Sequence, residues 1–140
     1  MKQDLIFLPI GALAIWTFVV LLFVPFRRIG AVKRGLVRPV DFKFGESATV
    51  PGEVSIPNRN YMNLLEIPVL FYVVGLVFHA SGKVDIVVLT LSWLYVVIRL
   101  VHSAIHLGHN NVLHRLAAFT ASNIILLVLW VLFFVRYFAA

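Results

Sequence analysis

Residues 59–80 read RNYMNLLEIPVLFYVVGLVFHA, and this stretch decides the fold. From Tyr61 to Ala80 it is apolar and long enough to cross a hydrocarbon core of about 30 Å at about 1.5 Å per residue. Its first turns nevertheless carry Arg59, Asn63 and Glu66, spaced by four and then three residues. That spacing puts all three on one helical face. An ionised side chain at mid-bilayer costs roughly 3 kcal/mol, so a charged stripe inside a span marks a candidate site. Two residues beyond Glu66, Pro68 removes a backbone donor and disturbs the carbonyl of Leu64, which predicts a local bend.

Three further apolar stretches accompany this one, near 5–26, 84–107 and 116–138. With 61% hydrophobic residues and a mean hydropathy of +0.98, the chain lies well above the soluble globular norm of about half apolar. At 140 residues it is one domain. The first stretch is too long for a signal-peptide core and ends in Pro25-Phe26-Arg27-Arg28, so it reads as a retained helix. There is no cysteine, which excludes disulfides, thiolate metal sites and a cysteine nucleophile.

The net charge of +6 is concentrated in Arg27, Arg28, Lys33, Arg34, Arg38 and Lys43, directly after the first span. By the positive-inside rule the 27–58 loop and the 109–114 turn face the cytoplasm, with both termini on the opposite side. Topology and headgroup attraction account for these charges, and no nucleic-acid partner is expected. Pro39, Pro51 and Pro57, with four glycines, predict turns and little regular structure from about Arg38 to Asn58. No phosphate loop, dinucleotide fingerprint or HExxH motif occurs.

The third span carries a second stripe, Arg99, His102 and His106. His102 and His106 have a spacing that can hold a metal on one face, but Arg99 one turn away opposes a cation, so no metal is expected. Glu66 has two readings. It either pairs with Arg99 or Arg59 and fastens helices together, or lines a polar pocket near the cytoplasmic interface. Arg115 opens the fourth span and either snorkels to the interface or turns inward to stabilise an anion.

The run RNYMNLLEIPVLF, residues 59–71, resembles the second-helix signature of the MAPEG family, membrane-associated proteins in eicosanoid and glutathione metabolism. RLVHSAIHLGHNNVLHRLAAF, residues 99–119, resembles the stretch joining that family's third and fourth helices. Four spans, a long first loop and the overall length also match, with the bacterial branch nearest in character. The resemblance implies an all-α, left-handed, integral membrane four-helix bundle with four transmembrane helices per subunit. It also implies a homotrimer embedded in lipid, in the bacterial inner membrane. Glutathione would be the cofactor, bound between subunits. Arg59, Asn63 and Glu66 would hold its charged and amide groups, with Arg99, His102 and His106 facing the same pocket. Arg115 would be the catalytic arginine that favours the thiolate, for transferase or peroxidase chemistry on a lipophilic electrophile. The chain departs from the pattern at Met62, an arginine in several members, and at His106 and Phe119, which stand where tyrosines occur. These departures motivate an alternative, a non-catalytic membrane scaffold or accessory subunit.

Overall fold

The structure, a computed structural model, describes residues 2–139. It contains α1 (Phe7–Lys33), α2 (Gly52–Leu65), α3 (Pro68–Ala80), α4 (Ile86–Leu107) and α5 (Val112–Phe138). Among the described residues there is no strand. Because α2 and α3 form one interrupted rod, four segments have the length and composition to cross a membrane: Gln3–Lys33, Gly52–Ala80, Ile86–Leu107 and Val112–Phe138. The chain is an all-α, multi-pass integral membrane protein.

Each rod buries a narrow stripe. Ile6, Leu13 and Val20 repeat every seven residues at the start of the first rod, as do Leu64, Phe71 and Phe78 along the second. Ser92, Tyr95, Arg99, His102 and His106 line α4, while Ser122, Leu126, Leu129 and Phe133 line α5. Alternating steps of three and four make a seam that one neighbour can fill, the geometry of shallow-angle bundles. Phe71 stacks on Tyr95 with ring centroids 4.5 Å apart, and Phe78 meets Phe133 edge-on at 5.4 Å. Gly75 lets α1 approach closely, since a Cβ there would lie 2.7 Å from Ile10 Cδ1. The opposite faces expose large apolar side chains such as Phe18, Leu22, Ile86 and Leu127. Water would not tolerate so much contiguous apolar surface; lipid does.

Two elements extend beyond their expected limits. α1 continues past Phe26 and through Pro25 to Lys33, because Ala31 is buried against Val37, Val50 and Val54 in a small second core. Tertiary packing outweighs local helix propensity there. The expectation of turns up to Asn58 is corrected: α2 starts at Gly52 and contains Pro57. That proline forgoes one bond, to the carbonyl of exposed Glu53, and is itself buried. The 34–51 connection is held down by Arg28, which donates to Glu46 Oε1 at 3.0 Å and stacks 4.7 Å over the Phe42 ring.

At the end of the bundle where Gln3 meets Val84, Asp85 caps α4. Its Oδ1 accepts from the Val88 amide at 2.9 Å and its Oδ2 meets Arg136 Nη2 at 2.8 Å. Burial raises the Asp85 pKa, but the Val88 amide and the Arg136 guanidinium outweigh it, leaving the carboxyl below its ordinary value of 3.8. A carboxyl depressed in the folded state contributes stability above its unfolded pKa and loses that contribution as pH falls through the lower, folded one. Asp85→Ala should cost about 1 kcal/mol at neutral pH. Asp85→Asn should keep much of the cap and lose the acid-dependent part. Thermal unfolding of both variants in detergent at pH 7 and at pH 3 checks this.

Candidate polar groove at the helix break

Pro68 shapes the site. It has no N–H to offer the Leu64 carbonyl, and its ring obstructs a regular helix one turn earlier. α2 therefore ends at Leu65, with Glu66 at ψ −94°, and α3 restarts at Pro68. Below the break the Glu66 amide still donates to Met62, while the Val69 and Leu70 amides turn to Glu66 and Ile67. The Asn63 carbonyl is taken by Arg99, whose Nη2 donates to it at 2.5 Å. A cation thus serves the C-terminal end of α2, where the helix dipole favours positive charge.

Arg99 is fully buried, and its Nε and Nη1 have no partner within the protein. Around it lies a polar interior that the stripes only partly revealed. Asn60, also fully buried, donates from Nδ2 to Ser103 Oγ at 2.5 Å, joining α2 to α4. His102 and His106 are buried, with ring centroids 6.0 Å apart, and the Nδ1 atom of each lacks a protein partner. Among the described residues no three His, Asp or Glu side chains converge on a common point.

Beside this interior runs an open groove of about 260 Å³, lined by Asn63, His102, Val112, Arg115, Leu116 and Phe119. Arg115 does not simply extend to the interface. Asn111 caps α5, its Oδ1 accepting from the amides of Leu113 and His114. The preceding Asn110 adopts φ 49°, and its Oδ1 accepts from Arg115 Nη1 at 2.7 Å. The turn therefore pins the guanidinium at the groove. Phe119 forms the wall between groove and interior, with its ring 5.8 Å from that of His102 and 5.7 Å from Arg99 Cζ.

The structure divides the expected residues into three groups. Asn63, His102 and Arg115 come together in the groove. Arg99 and His106 are buried behind it and do not line it. Arg59 and Glu66 lie exposed on the outer face of the second span. The proposed pairing of Glu66 with Arg99 or Arg59 is corrected: among the described residues Glu66 has no ion pair, and Arg99 instead binds the carbonyl released by the Pro68 break. Asn60 and Ser103 carry no charge and stand off the two polar stripes, so the spacing of charged residues does not point to them. Their positions were nonetheless legible, since Asn60 falls on the buried line with Pro57 and Leu64, and Ser103 beside Arg99 and His106.

Comparisons with known proteins agree with this architecture. A search of curated proteins and a search of solved structures each return no match. The family model for the MAPEG family matches residues 6–135, which reaches into all four rods and takes in every residue of the groove. The chain belongs to the MAPEG family.

Proposed function

We propose that the protein assembles as a homotrimer through its second span and binds glutathione between subunits, presenting the thiolate to lipophilic electrophiles. The observation that carries this reading is the position of the groove beside an exposed seam. Arg59, Met62, Glu66, Val69, Val73 and Leu76 are all exposed and follow steps of three and four. Such a stripe, left open on an isolated chain, suits packing against identical helices. Asn63 lies next to that seam and contributes to the groove. At about 260 Å³ the groove is smaller than the roughly 300–1,000 Å³ of pockets that enclose a whole small ligand. A second copy would supply the missing wall.

In this reading Arg59 and Glu66, which form no ion pair among the described residues, meet the carboxylate and ammonium ends of glutathione. Asn63 and His102 hydrogen-bond its amides. Arg115 faces the sulfur, and a cation there favours the thiolate by lowering the thiol pKa. Bound glutathione would supply a sulfur nucleophile that gives its proton to solvent and displaces, from an electrophilic carbon, a leaving group that departs with the bonding pair. Arg99 acts from behind by holding the Asn63 carbonyl, and His106 supports His102. Titration calorimetry of the detergent-solubilised protein with glutathione should give saturable heat in the millimolar range or below. The absence of both heat and thermal stabilisation would leave the scaffold reading, in which the same seam serves assembly alone. In that case native mass spectrometry should show Glu66→Gln losing the oligomer and Arg115→Ala keeping it.

A further inference from the structure

Along the exposed side of α1, on the end of the bundle that carries the 34–51 connection, two concavities run into one another. The first, about 310 Å³, is walled by Val19, Leu22, Phe23 and Phe26. The second, about 550 Å³, shares Phe23 and Phe26 and continues over Arg27, Ile29, Gly30, Lys33 and Arg34. Spacing by threes and fours places these residues on one continuous strip of helix surface. The apolar part, from Val19 to Phe26, rises about 10 Å, a substantial portion of one leaflet's hydrocarbon half-thickness of about 15 Å. Where it ends, the lining turns cationic.

Two of the four charges at that end are unengaged. Arg28 is committed to Glu46, and Arg34 donates from Nε to the Gly30 carbonyl. Arg27 and Lys33 have no hydrogen bond or ion pair among the described residues. Gly30 lies among them, and a Cβ added there would meet nothing within 4 Å. With no side chain of its own, Gly30 forms part of the floor of the hollow between the basic residues, on a helix that would accept a larger residue.

We propose that this strip is a binding seat for one anionic phospholipid. An acyl chain lies along Val19, Leu22 and Phe26, and the phosphate sits over Gly30 between Arg27, Lys33 and Arg34. Apolar wall and cationic seat meet in the order and at the spacing in which a phospholipid presents its chain and its charge. A free phosphate has no use for the apolar half. Diffuse attraction to an anionic surface has no use for the hollow at Gly30. The seat is separate from the groove at Arg115, and the inference does not depend on glutathione binding.

The test uses the full-length protein in a mild detergent, with native mass spectrometry and thermal unfolding. Dioleoyl phosphatidylglycerol is compared with dioleoyl phosphatidylcholine and with inorganic phosphate. Phosphatidylglycerol should be retained at one molecule per chain and raise the unfolding midpoint, while the other two do neither. Each basic residue near an anionic headgroup is worth about fivefold in affinity, so Arg27→Gln with Lys33→Gln should weaken binding roughly twenty-five-fold. Gly30→Leu keeps every charge and is favourable to the helix, yet should abolish the retained lipid by filling the hollow. Equal retention of both phospholipids, displacement by inorganic phosphate, or undiminished phosphatidylglycerol on Gly30→Leu would each overturn the proposal. So would an oligomer that covers this face and carries no lipid.

Discussion

Arg99→Ala is expected to lower stability by about 3 kcal/mol and to blur the groove along with it. Two losses combine. The half-buried Asn63 carbonyl, freed by the Pro68 break and served by Arg99 Nη2, would lose a charge-assisted hydrogen bond, at about 1–3 kcal/mol. Truncating a fully buried large side chain also opens a cavity, typically worth about 2–5 kcal/mol. Against these stands the relief of no longer burying a guanidinium whose Nε and Nη1 lack partners, which keeps the net below the sum. Arg99→Lys should fall between alanine and the unmodified protein, since an ammonium can reach one carbonyl but cannot match the planar contact with Phe119. Denaturant titration in mixed micelles, followed by tryptophan fluorescence, gives the magnitude. If Arg99→Ala unfolds with the unmodified midpoint, the carbonyl cap is not what holds the break.

Arg115→Ala is expected to leave the fold nearly intact and to reduce thiol conjugation by about 10²–10³-fold, the usual loss when one preorganised charge-stabilising donor is removed. The turn it leaves behind still has its own support, with the Asn110 amide donating to Ile105 at 2.8 Å and Asn111 capping α5. The pH dependence separates a role at sulfur from a role in binding. If Arg115 acts at sulfur as proposed, a bound thiol should ionise below its ordinary pKa of about 8.5 and the rate should level off early. Without it, the rate should keep rising with pH until the thiol ionises unaided, so the deficit shrinks in alkaline solution. A deficit of constant size at all pH values would assign Arg115 to binding alone. No deficit at all would favour the scaffold.

How much of this was readable in the chain depends on which physical effect is local. The spans followed from length and apolarity, and the interruption near Leu64 followed from Pro68 alone, because a missing N–H acts within one turn. The helical limits were less accessible. α1 outruns Phe26 because Ala31 finds a partner cluster contributed by Val37, Val50 and Val54, residues that contact it only after the chain has doubled back. Pro57 looks like a turn residue for the same reason, its neighbours in sequence giving no sign that Val54 is buried beside it.

The candidate site shows the same division more sharply. Sequence by itself determined which residues share a helical face, because 3.6 residues per turn is a property of the backbone: Arg59 with Asn63 and Glu66, and Arg99 with His102 and His106. It also carried the family, through motifs spread over nearly the whole chain. Only the tertiary structure decided which way each face turned. Both stripes are polar, and periodicity is blind to rotation about the helix axis. Packing put Arg99 and His106 inside, left Arg59 and Glu66 outside, and brought Arg115, from a different helix, to Asn63 and His102. The reason is that the break released a carbonyl at half-buried Asn63, and Arg99 was the side chain long enough and charged enough to reach it from inside the bundle.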